Sequence, residues 1–169
     1  MMSQTKPFNL KTWIDENRQL LQPPVGNACI WNSGFLVMVV GGPNQRSDFH
    51  VNPGEELFYQ VEGDIVLKIM DGDQPRDLAI RQGDIFLLPA RVPHSPQRPA
   101  GTVGLVVEQP KCSTEDHHLR WYCRRCNAIV YDEAFQPTDI GKQIKAITQH
   151  FKGTEALRKC RQCGTTHDV

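Results

Sequence analysis

The stretch GDIVLKIMDGDQPRDLAIRQGDIFLLP, residues 63–89, decides the fold. Ile65, Leu67 and Ile69 alternate with outward positions, as one face of a strand requires. Asp71-Gly72 suits a two-residue hairpin turn with positive φ, and Leu78 and Ile80 return on the far side. Gly83 and Asp84 turn the chain again. Ile85 to Leu88 then forms a continuous apolar strand, the pattern of a strand covered on both faces, and Pro89 stops it. Similar short runs separated by Gly, Pro, Asn and Asp extend from Ala28 to Glu108, so the chain reads as all-β, a sandwich or barrel.

The flanks differ from this middle. Leu10, Trp13, Ile14, Leu20 and Leu21 recur at helical spacing, with Thr12 and Asp15 as a capping box, and predict a short N-terminal helix ended by Pro23, Pro24 and Gly26. Past Pro110 a second helix is expected from Ile140, Ile144, Ile147 and Phe151, behind Thr138 or Asp139 as cap. A boundary near residue 111 divides the chain into 1–110 and 111–169. The 169 residues, 39% of them apolar, suffice for one domain and a small appendage. Lys+Arg and Asp+Glu number 19 each, so charge gives no reason to expect nucleic acid or an anionic membrane surface as partner. No basic and apolar leader opens the chain, and the longest apolar run, Phe35 to Val40, is far below spanning length. A soluble cytoplasmic protein is the expectation.

The segment from Gly42 to His50, followed by Glu56, Gly63, Gly83, Pro89 and His94, resembles the two cupin motifs in spacing. Glu56 stands seven before Gly63, and Pro89 six after Gly83. That resemblance implies a jelly-roll barrel, or double-stranded β-helix. The departures are Asp48 for the usual first histidine, Arg91 for a glycine, and Arg98 for a terminal asparagine. What remains, His50, Glu56 and His94, is a set of two imidazoles and one carboxylate that suits Fe(II) and leaves positions open. Zinc shares these donors, although a structural zinc normally closes four ligands. Taken singly, such residues are more often turn, core or solvated side chains; together at this spacing they read as ligands. Glu56 is preferred to Glu55 on spacing, and strand alternation sends the two to opposite faces.

Charged side chains converge on the same pocket. Arg46, Asp48 and His50 share strand parity if that segment is extended, and an interior arginine needs an anionic partner. Arg98 lies in Ser-Pro-Gln-Arg-Pro, whose prolines fix the backbone, and Glu108 closes the apolar run Val103 to Val107. Two arginines and a glutamate beside an open metal site suit a carboxylated ligand held by a guanidinium fork. The competing reading pairs Arg98 with a surface acid and leaves Glu108 solvated.

Pro23 to Asn27, Val39 to His50, Glu55 to Gln60 and Gly83 to Pro99 together are similar to the 3-hydroxyanthranilate 3,4-dioxygenase family, densely over residues 7–110. The resemblance extends to the C-terminal cysteine module of its bacterial, homodimeric form. It implies iron(II) on His50, Glu56 and His94, the substrate carboxylate on Arg98 and Glu108, Arg46 near oxygen and substrate, and Asn27 on a loop closing over the pocket. It also implies chelation through the substrate's phenol oxygen and amine. Ring cleavage between C3 and C4 would give 2-amino-3-carboxymuconate semialdehyde, which closes to quinolinate and links tryptophan degradation to NAD synthesis. A homodimer is implied as well. Two rivals stay open: a cupin oxygenase for another carboxylated aromatic, and a non-catalytic metal-binding sensor.

Four of the six cysteines form two knuckles, Cys123-Arg-Arg-Cys126 and Cys160-Arg-Gln-Cys163, the pattern of a four-thiolate site rather than two disulfides. Tyr122 to Glu133 and the pair Cys163-Gly164 resemble rubredoxin, so iron and zinc are both candidates. Asn127 replaces a knuckle glycine and tolerates positive φ. A closed site has no position for substrate, so support of a small module is the expected role, with electron transfer as the alternative. Arg124, Arg125, Arg158, Lys159 and Arg161 read as a solvated basic rim. His117, His118, His150 and His167 read as ordinary structural histidines, and Cys29 and Cys112 as unpaired residues with buried or bystander roles.

Overall fold

Two antiparallel sheets carry the chain in a cupin-like all-β arrangement. The computed structural model describes residues 6–23, 26–44, 46–109 and 114–167; the expected boundary near residue 111, and Cys112, lie outside them. The strands are β1 (Asn27–Asn32), β2 (Leu36–Gly41), β3 (Phe49–Val51), β4 (Glu56–Glu62), β5 (Ile65–Asp71), β6 (Gln74–Ile80), β7 (Ile85–Leu88), β8 (His94–Gln97), β9 (Val103–Glu108), β10 (His117–Tyr122) and β11 (Ile129–Phe135). One sheet runs in the order β1-β2-β9-β4-β7 and the other β11-β10-β3-β8-β5-β6.

Alternation along these strands builds the core between the sheets. Phe58, Leu88 and Val106 come from the first sheet, Ile65, Leu67, Ile69 and Ile80 from the second, and all are buried. Each such side chain contributes about 1.5–3 kcal/mol on burial. The hairpin of β5 and β6 forms as the sequence predicts, but its turn sits one residue later. Asp71 pairs with Gln74, which leaves Gly72 and Asp73 as the turn. Gly72 has φ 63°, so the first turn position, not the second, needs the glycine. The apolar run Ile85 to Leu88 differs more. β7 is an edge strand, with Leu88 in the core while Ile85 and Leu87 are 68% and 51% exposed. Hydrophobic content alone does not separate a covered strand from an edge whose second face is open.

The N-terminal helix α1 (Leu10–Glu16) buries Trp13 and Ile14 against Leu21, Val39 and Val103. Its cap is Asn9, whose side chain accepts from Thr12 N at 3.0 Å; the expected Thr12–Asp15 box does not form. Asp15 instead pairs with Lys11 and Arg18. The helix stops before Leu20 and Leu21 because the Asn17 side chain donates through Nδ2 to Trp13 O at 2.8 Å; a 3₁₀ turn, Arg18–Leu21, follows.

β10 and β11 complete the six-stranded sheet. Leu119 pairs with His50 and His118 with Val51. Helix α2 (Ile140–Gly153), capped by Asp139, packs Phe151 on Trp121 with ring centroids 4.2 Å apart. A short α3 (Glu155–Arg158) leads to the second knuckle.

Candidate active site

Strand register brings the expected ligands together. His50 on β3 pairs directly with His94 on β8, and Glu56, first residue of β4, enters from the opposite sheet. Glu56 Oε1 lies 3.3 Å from His50 Nδ1, and Oε2 lies 3.3 Å from His94 Nε2. All three are buried, and their ligand atoms fall within 4.8 Å of one another. Glu55 is exposed, as alternation requires. Burial opposes ionisation of Glu56, but His94 and His50 outweigh it and hold its carboxyl well below the usual range. Burial lowers the pKa of His50, which favours the neutral imidazole that a metal needs.

Arg98 follows β8 and is 3% exposed. Its Nη1 donates to Gln60 Oε1 at 3.2 Å, whereas its Nε has no hydrogen-bond partner among the described residues. Asn44 holds the backbone beneath, accepting from Arg98 N at 2.7 Å. A Cβ at Gly104 would meet both Arg98 Nη1 and Gln60 Oε1 at 2.8 Å, so a side chain there would displace one or both of them. Burial, then the nearby charge of Arg46, lowers the Arg98 pKa to about 10. Arg46 finds its anionic partner in Asp48, which is buried. Both residues precede β3 rather than lying in it.

Glu108 pairs in register with Glu56. Burial and the Glu56 charge raise its pKa to about 9, so near neutral pH it holds a proton. Asn27 opens β1 opposite Val40 and is exposed; Pro24 and Val25 before it lie outside the described residues.

Two buried residues were missed by sequence reasoning. Asn52 donates to Glu108 Oε2 at 2.6 Å and Glu56 Oε1 at 3.1 Å, holding the two carboxyl groups together. Its place two residues after His50 was the available signal. His117, read as an ordinary histidine, lies with Nδ1 3.0 Å from His50 Nε2. Its alternation with Leu119 and Trp121 marked it as inward-facing, but nothing in the sequence named its partner.

The four cysteines form a separate cluster. Cys123 Sγ is 3.5 Å from Cys163 Sγ, and Cys126 Sγ 3.7 Å from Cys160 Sγ. Those gaps are far beyond an S–S bond of about 2.05 Å. They match the edge of a tetrahedron with metal–sulfur bonds of about 2.3 Å. Asn127 at φ 57° and Gly164 at φ 75° occupy equivalent places in the knuckles, donating to Cys123 O and Cys160 O at 2.9 Å.

Residues 2–152 match the sequence profile of the 3-hydroxyanthranilic acid dioxygenase family. Among curated relatives, a 3-hydroxyanthranilate 3,4-dioxygenase of Neurospora crassa is 48% identical over 164 residues, 97% of this chain and 91% of that protein. One from Xanthomonas oryzae pv. oryzae is 50% identical over 161 residues, 95% of this chain and 92% of that protein. One from Scheffersomyces stipitis is 49% identical over 160 residues, covering 95% and 94%.

Proposed function

Because the chain belongs to the 3-hydroxyanthranilic acid dioxygenase family, an enzyme class that opens an aromatic ring with dioxygen, we propose that His50, Glu56 and His94 hold its catalytic iron(II) and that Arg98, Glu108 and Arg46 orient 3-hydroxyanthranilate. The observation that carries the reading is Arg98: a buried guanidinium with an unpartnered Nε, in the fold that holds the triad. A ligand carboxylate supplies what it lacks. The donor set fits a divalent metal, since two imidazole nitrogens and both carboxylate oxygens already face one another at 3.3 Å. When bound, Fe(II) supplies Lewis acidity and one-electron chemistry towards dioxygen at positions that three ligands leave open.

The protein's own groups do the rest. Arg98 binds the substrate carboxylate through its N–H groups, and neutral Glu108 donates its proton to the same carboxylate. Arg46, kept charged by Asp48, adds positive potential towards substrate and oxygen. Asn27, exposed at the start of β1, is the remaining residue we propose as a substrate contact. Exclusion of water by the two packed sheets strengthens each of these interactions.

We further propose iron, with zinc as competitor, at the four cysteines, where it supports folding. We also propose a cytoplasmic homodimer. Free thiols favour a reducing compartment. The exposed row Tyr59, Ile85 and Leu87 on the β4–β7 edge favours a second copy, which sedimentation velocity would detect. Among the described residues, no helix is long and apolar enough to cross a membrane.

The test is oxygen uptake by anaerobically Fe(II)-loaded protein on addition of 3-hydroxyanthranilate, beside other carboxylated aromatics. Preference for another member of the panel moves the assignment to that substrate. Binding without oxygen consumption means a sensor.

A further inference from the structure

The two imidazoles of the metal triad are oriented by different kinds of partner. His94 Nδ1 lies 3.0 Å from Val92 O. A carbonyl only accepts, so His94 carries its proton on Nδ1 and presents Nε2 to Glu56. Among the described residues, His50 has no carbonyl in that role. Its Nδ1 faces Glu56 Oε1 at 3.3 Å, and its Nε2 meets His117 Nδ1 at 3.0 Å. The two ring planes differ by 23° and their centroids are 5.2 Å apart. With nitrogens so close at that separation, the rings meet edge to edge, as an in-plane N–H···N hydrogen bond requires.

An imidazole, unlike a carbonyl, can donate or accept, so His117 decides which nitrogen of His50 is free. We propose that His117 is a positioning residue for the catalytic metal: it accepts the Nε2–H of His50 and so fixes the tautomer that offers Nδ1 as ligand. This rests on the assignment of His50, Glu56 and His94 as ligands. The backbone supports the same geometry. β10 places Leu119 opposite His50 and His117 opposite Phe135, and His117 is fully buried, so its ring is held from both sides. Outer partners of this kind typically set metal affinity by about 10–100-fold.

The test uses the full chain with its thiolate site already loaded, and Co(II) as the probe of the second site. Its visible bands there lack the thiolate charge-transfer absorption of the cysteine cluster. His117→Leu removes the acceptor and is expected to weaken Co(II) binding about 10–100-fold and to shift the bands. His117→Asn, whose Oδ1 replaces Nδ1 as acceptor, is expected to stay within about threefold of the parent. Equal binding and unchanged bands in His117→Leu overturn the proposal, as does an Asn variant as weak as Leu. Should His117→Leu not fold, nitrogen-15 spectra of the Zn(II)-loaded parent decide it: Nε2 protonated on His50 supports the assignment, and Nε2 bound to metal overturns it. His50→Ala is the control. If that variant keeps the cobalt site, the ligand assignment fails, whatever His117 does.

Discussion

Arg98 is sealed from water with one nitrogen unpartnered among the described residues, and a charged group in that condition costs free energy until a ligand arrives. Gly104 is the residue that permits it. Gly104→Ala would push on Arg98 Nη1 and Gln60 Oε1, and is expected to raise KM by on the order of tenfold, or about 1.4 kcal/mol, with metal content unchanged. Steady-state kinetics beside metal analysis checks this. His50→Ala is expected to abolish oxygen uptake and remove one metal equivalent while the cysteine cluster stays loaded; loss of both metals would refute two independent sites. The meeting of His50, Glu56 and His94 in one cluster was legible in their spacing. Asn52 and His117 were not, because their roles depend on neighbours brought in by the fold: Glu108 is 56 positions from Asn52, and His50 is 67 from His117.

Among the elements, β10 joins two jobs. Its inward positions carry His117 against His50 and Trp121 against α2, and its end leads into Cys123. Phe151→Ala would empty the stack on Trp121 and is expected to cost about 3–5 kcal/mol, read by chemical denaturation. A loss under 1 kcal/mol would show that α2 does not brace this strand. The periodicity of α2 was readable because its apolar face repeats at helical spacing, and Asp139 was one of two caps expected. The edge position of β7 was not readable, since Ile85 and Leu87 look like core residues until the sheet order is known. The turn at Gly72 shows the same limit on a smaller scale: Asp-Gly announces a hairpin, but the pairing of Asp71 with Gln74 sets which positions it uses.

At the scale of the whole molecule, the two clusters that could hold a metal differ in kind. His50, Glu56 and His94 offer three donors with polar neighbours around them, whereas the four cysteines face one another. Cys123→Ser is therefore expected to lower thermal stability and soluble yield more than turnover per catalytic iron. If turnover vanished while the fold persisted, the thiolate metal would have a part in the reaction. The sheet order carries a further consequence for the chain as it is made. β3, which bears His50, lies between β8 and β10, and β10 is completed only at Tyr122. Until that segment leaves the ribosome, β3 is an edge strand with its hydrogen-bonding groups open to any other strand nearby. Biogenesis thus has a vulnerable interval in which most of the barrel is already synthesised, and a ribosome pause before residue 117 would lengthen the time available for misassembly.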